Sequence, residues 1–164
     1  MLFLESQQGE KAFSTDHEKA IDDIYSQTLA RLQNEKQWFR DLFEAFKLGK
    51  ADTHLRIAKE HIALEGSHDS GVVYQLLQRA RDSLLSINME LLRQSHGNDP
   101  FTEAFRNHLW FMYHHLQGNH VEADTFLHQA FDNWIASKGY KFAKEIAEMA
   151  NNTHLLQQLK SLGV

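Results

Sequence analysis

The 164-residue chain contains no cysteine, one proline (Pro100) and eight glycines. Without thiols there can be no disulfide framework, cysteine zinc site, thiol nucleophile or cysteine-ligated iron–sulfur cluster. So little proline and glycine leaves too few turn formers for a many-stranded sheet, and the expected class is all-α. Positive charge is not in excess either: 17 Lys and Arg stand against 22 Asp and Glu, a net charge of −5, with no like-charged block at either end. Phosphate binding needs a clustered cationic footprint, so no nucleic-acid partner is expected. No run approaches the roughly 18 apolar residues of a membrane span. The start, MLFLESQQGEK, has an apolar stretch of only four residues with no basic residue before it, too short for the core of a secretory signal. The expected setting is therefore cytoplasmic, with no membrane contact.

What the chain does contain is helical periodicity. Its length suits one domain with a real core. Residues 1–13 have no period and are expected to form an N-terminal arm, with 14–164 a single all-helical domain. Thr15-Asp16-His17-Glu18 is a capping box, and a helix is expected from there. Ile21, Ile24, Thr28 and Leu32, then Phe39, Leu42, Phe43 and Phe46, keep helical spacing as one long helix or two. Leu48-Gly49-Lys50 is expected to end it, since glycine readily takes the left-handed conformation past a helix C-terminus. A second helix carries Ala51, Leu55, Ala58 and Ile62 and stops at Gly66. Val73, Leu77, Ala80, Leu84, Ile87 and Leu91 predict a central helix from Val72 to about Gln94. Asp99 as N-cap and Pro100 at the first helical position open another, to about Gln117. Further helices are expected from about Asn119 to Ser137, Tyr140 to about Met149 and Thr153 to Leu162. About seven helices with short connections predict antiparallel hairpins.

One internal match stands out. Residues 38–58 align without gaps to 110–130, and seven of 21 positions agree, among them ADTxLxxA at 51–58 and 123–130. Each copy is expected to be a helical hairpin, with small residues seven apart letting a facing backbone approach closely. Gly118, Ala123, Leu127 and Ala130 resemble the tetratricopeptide repeat pattern, in which a glycine ends the first helix and alanine, a large apolar residue and alanine follow on the second. The chain departs from that family in three ways: Phe46 stands where the glycine is expected, no proline follows the second helix, and the period is 72 residues rather than about 34. A tetratricopeptide-like array and an irregular helical bundle are both open architectures. In the bundle, Trp, Phe and Ala at helical spacing are core residues rather than a binding surface.

Eleven histidines raise metal binding as a second possibility. His120, Asp124, His128 and Asp132 step by four along one helix, which places them on one face, although a solvated charge ladder has the same spacing. His54, His61 and His68 recur every seven residues with Glu65 four after His61, half of a hemerythrin-like di-iron pattern without its other half. His108 and His115 lie beside an apolar face, where buried histidines satisfied by hydrogen bonds are common. His61 to Gly66 resembles a phosphotransfer motif but fails in register, and Glu65 stands where a lysine would neutralise phosphate. No nucleophile elbow, dinucleotide loop or Walker loop occurs.

The expected function is a protein or peptide interaction module with no enzymatic activity and no cofactor. If the resemblance holds, it implies a groove lined by first-helix positions: Lys36, Arg40, Phe43 and Glu44 in one copy, and His108, Met112, His115 and Leu116 in the other. Mixed charged, aromatic and histidine lining suits a polar peptide. The alternatives are a histidine-dependent metal-binding bundle and a structural subunit that forms a homodimer through exposed aromatics.

Overall fold

Runs of good helix formers punctuated by caps produce helices wherever the chain is described, which in this computed structural model covers residues 17–31, 40–66, 70–96 and 99–163. Among the described residues there are eight helices and no strand: α1 (17–31), α2 (Arg40–Glu65), α3 (Gly71–Leu85), α4 (Met89–His96), α5 (Pro100–Leu116), α6 (His120–Ala136), α7 (Tyr140–Met149) and α8 (Thr153–Ser161). None of them is long and apolar enough to cross a membrane. The all-α class is as expected.

Contacts divide the chain into two compact units, Met1–Phe46 and Lys47–Val164. The division falls within α2, and the expected boundary at residue 13 lies outside the described residues. In the first unit Tyr25 of α1 meets Phe46 edge to face, with ring centroids 6.2 Å apart. The Thr15 capping box and the link between residues 31 and 40 lie outside the described residues.

The second unit holds one continuous apolar core drawn from α2 to α8. Leu55, Leu76, Leu92, Leu109 and Ile146 are fully buried, and each such side chain contributes about 1.5–3 kcal/mol. The pairing of α5 with α6 is the most extensive; α7 packs on α6, α8 on α7 and α3 on α5. Turns of the same design join the last four helices. Gly118, Lys138 and Asn151 each take a left-handed backbone, at φ 78°, 59° and 50°. The next residue then donates its N–H five residues back: Asn119 to His114, Gly139 to Trp134 and Asn152 to Ala147. This satisfies carbonyls that a helix end leaves without partners. Gly139 is required for another reason, since a Cβ there would lie 2.4 Å from the Trp134 ring.

Two helix boundaries depart from expectation. Gly49 does not end a helix: α2 runs straight through it, and the Thr53 hydroxyl donates to the Gly49 carbonyl at 2.9 Å. A mid-helix glycine costs roughly 1 kcal/mol, less than the burial of Leu48, Ala51 and Leu55 around it returns. The turn comes at Gly66, at φ 64°. The central helix, expected to be unbroken to about Gln94, is two helices. Ser86 donates its hydroxyl to the Ser83 carbonyl at 2.8 Å, and Asn88 accepts from the Leu91 N–H at 3.1 Å, closing α3 and opening α4. Short polar side chains compete with the helical ladder in this way. The break shifts the apolar stripe by one residue, so Leu92 is buried and Leu91 only half-buried.

Candidate functional site

Helix α5 starts as expected, with the Asp99 carboxylate accepting from the Phe101 N–H at 3.0 Å and Pro100 in the first turn. Past that turn it is apolar on nearly every side, and Leu109, Trp110, Phe111, Met112 and Tyr113 are all buried in succession. Such a helix forms the centre of a core rather than an amphipathic cover. His108 is buried within it, next to Trp134 of α6. The Trp134 indole N–H donates to His108 Nδ1 at 3.2 Å, and His108 Nε2 has no hydrogen-bond partner.

This bond settles the protonation state. A nitrogen that accepts from an indole N–H carries a lone pair, so the imidazole is neutral with its proton on Nε2. Burial dominates its titration and lowers its pKa to about 4. Glu145 opposes the shift, while Arg56 and Lys59 add to it. Around Trp134 the rings of Phe101, Phe105 and Phe142 complete an aromatic box, with Phe142 of α7 stacked on the indole at 4.6 Å.

Beside the box an ion network ties α2 to α7. Arg56 donates to both Asp52 oxygens, at 2.9 and 3.1 Å, and to Glu145 Oε1 at 3.0 Å. Burial raises the Asp52 pKa, and the attraction of Arg56 does not fully offset it. Burial works to lower the Arg56 pKa, but the two carboxylates hold it above its ordinary value. The guanidinium is about two-fifths exposed, so the network orients the two helices more than it stabilises them.

Nearer the α5–α6 turn, His114 lies flat against Phe126, with ring centroids 5.5 Å apart, and stacks on Trp110 at 5.9 Å. Partial burial lowers its pKa, against the pull of Glu122. Where α6 meets α8 the surface opens into a shallow cleft of about 310 Å³, lined by Phe131, Asp132, Ile135, Gln158, Ser161 and Leu162. On the exposed surface of α6 are Glu122, Asp124 and Asp132, and the helix contains no Lys or Arg.

The groove residues expected from the resemblance fall in both units. Lys36 lies outside the described residues, as does the side chain of Arg40. Phe43 is half-buried and Glu44 buried, both in the first unit. In the second unit His108, Met112 and Leu116 belong to the core, with 1 %, 0 % and 5 % exposure, out of a partner's reach; His115, its ring tilted against Phe111, is half-buried. Residues 107–113 of α5 are buried in succession, whereas the resemblance implies one free face on that helix.

Among the histidines, all four ladder residues on α6 are exposed. His128 Nε2 sits 3.6 Å from Asp124, and no three ligand atoms of the ladder lie within 4.8 Å of one another. His54 is buried, His61 is half-buried 3.6 Å from Glu65, and His68 lies outside the described residues. Sequence reasoning missed Asp52, Arg56 and Glu145 as a network, and Trp134, Ile135 and Leu162 as site residues. Only the Asp52–Arg56 spacing of four was legible, because Glu145 is 89 residues from Arg56. No family model, no curated protein and no solved structure matches this chain.

Proposed function

We propose that this chain is a protein-interaction module without enzymatic activity, acting in the cytoplasm, and that it takes a short partner peptide in the α6–α8 cleft. The supporting observation is the cleft itself: Phe131, Ile135 and Leu162 form an apolar floor beside Asp132, on a helix whose exposed charges are all carboxylates. A volume of about 310 Å³ suits one or two apolar side chains and falls at the lower end of small-ligand pockets. Leu162 is 54 % exposed, which leaves apolar area to be covered. The peptide that fits is one with a leucine-sized anchor flanked by Lys or Arg, the anchor filling the cleft and the cations meeting Glu122, Asp124 and Asp132.

The test is fluorescence anisotropy with labelled 12-residue peptides at low salt. A Leu anchor flanked by Lys and Arg is expected to bind, while the same anchor flanked by Glu, or the basic peptide without the anchor, binds at least tenfold more weakly. Asp132→Lys is expected to weaken the first peptide about fivefold to tenfold, and salt to do the same. Equal binding of all three peptides, or an affinity indifferent to Asp132→Lys, overturns the assignment.

A further inference from the structure

The geometry points to the His108–Trp134 bond as an acid-sensitive latch that holds the α6–α7 elbow and, through it, the shape of the α6–α8 cleft, so that acidification loosens peptide binding. The peptide part rests on the function proposed above; the latch itself does not.

Trp134 joins the two ends of this device. It is fully buried, its single polar atom is given to His108 Nδ1, and its ring carries Phe142 of α7 on one side and Gly139 of the turn close against it. On α6 it lies one turn from Phe131 and next to Ile135, which form one wall of the cleft. The opposite wall, Gln158, Ser161 and Leu162, belongs to α8 and its C-terminal turn. That helix packs on α7 and follows it through the turn in which Asn152 bonds Ala147. Moving the indole therefore moves α7, and the far wall of the cleft with it.

Protonation forces that movement. A second proton on the imidazole must go to Nδ1, where it faces the Trp134 N–H, leaving two donors opposed in a buried site, while the Nε2 proton already lacks an acceptor. The charged groups that face His108 do not offset this cost, although Glu145 opposes it. From α7 comes Glu145, but Arg56 already occupies it; from α2 come Arg56 and Lys59, both cations, with Asp52 bound to Arg56; from α6 comes the indole. In the closed form the imidazole holds a proton only near pH 4, whereas a solvated imidazole does so near 6.5. The closed form is therefore fully favoured above about pH 6.5, and its advantage falls as pH drops towards 4, by about 300-fold in total.

The test uses the whole chain and needs no peptide for its first arm. The indole N–H of Trp134 and the ring nitrogens of His108 are followed by 15N NMR from pH 7.5 to 4. The expected result is a neutral imidazole protonated at Nε2 at pH 7.5, and a cooperative change of the Trp134 signal with a midpoint between pH 4 and 6.5. His108→Asn, which keeps an acceptor for the indole but does not titrate, is expected to abolish that change. An indole signal constant to pH 4 in the unaltered chain, an Nδ1-protonated tautomer at pH 7.5, or the same transition in His108→Asn overturns the latch. Should the variant fail to fold, the tautomer and the titration of the unaltered chain still decide. In the second arm, affinity for the basic leucine peptide is expected to fall with the same midpoint. Unchanged affinity through the indole transition overturns the coupling, whereas a transition without any peptide binding at pH 7.5 upholds the latch and removes the peptide reading.

Discussion

The two stretches that share ADTxLxxA fold differently. Residues 100–136 make a hairpin, turning at Gln117, Gly118 and Asn119, while residues 40–65 make one unbroken helix. One aligned pair contributes: Gly118, at φ 78°, stands opposite Phe46, which stays helical. A left-handed residue costs an L side chain about 1–2 kcal/mol and glycine almost nothing. At Gly49, which would tolerate a turn, the helix continues because burial of its neighbours Leu48, Ala51 and Leu55 outweighs the glycine's cost. The small residues seven apart are nonetheless buried in both stretches, Ala51 and Ala58 as well as Ala123 and Ala130. Shared letters thus report a shared need for close packing, not a shared supersecondary structure.

The largest test of this contrast is Gly49→Pro. It removes a ladder hydrogen bond within α2 and should cost about 3 kcal/mol or more in a urea titration followed by circular dichroism. If residues 40–48 and 50–65 were separate helices after all, the loss would stay under about 1 kcal/mol.

A second effect of similar size is confined to the hairpin. Because the His108 pKa is lowered to about 4 on folding, stability is unaffected above about pH 6.5 and is lost as pH falls towards 4, by about 3 kcal/mol in all. Asp52 acts with the opposite sign: its pKa is raised on folding, so protonating it favours the folded form. Denaturation midpoints at pH 7 and 4.5 for the unaltered chain, His108→Asn and Asp52→Asn separate the two. The acid loss should shrink in the first variant and grow slightly in the second.

Gly118→Ala probes the turn itself. An added Cβ meets nothing within 4 Å, so the expected loss, about 1 kcal/mol by thermal or urea denaturation, is purely backbone strain. A loss above 3 kcal/mol would mean that the hairpin rearranges. The smallest effect expected is a gain: Lys138→Gly relieves the same strain at the next turn and should raise stability by about 0.5–1 kcal/mol, less the entropy that glycine restores to the unfolded chain.

Legibility followed the range of the interactions involved. The Asp99 cap with Pro100, the stop at Gly66 and the bounds of α7 and α8 could be read because each is decided by contacts within one turn. The break at Ser86 to Asn88 is also local chemistry, but a continuous apolar stripe concealed it; the polar competitors were there to be noticed. His108 was recognisable as a histidine beside an apolar face. A hydrogen-bonded, partly buried histidine was the common expectation there, but its bond to Trp134, 26 residues away, was not legible.

By itself, then, the amino-acid order determined the all-α class, the later helix boundaries and the small residues that must be buried, since propensity and capping act over three or four residues and add up along each segment. Tertiary structure alone decided that α2 passes through Gly49, that residues 107–113 of α5 are buried in succession, and that Arg56 and Glu145 meet. Local preferences there are worth about 1 kcal/mol, and burying a single leucine outweighs them.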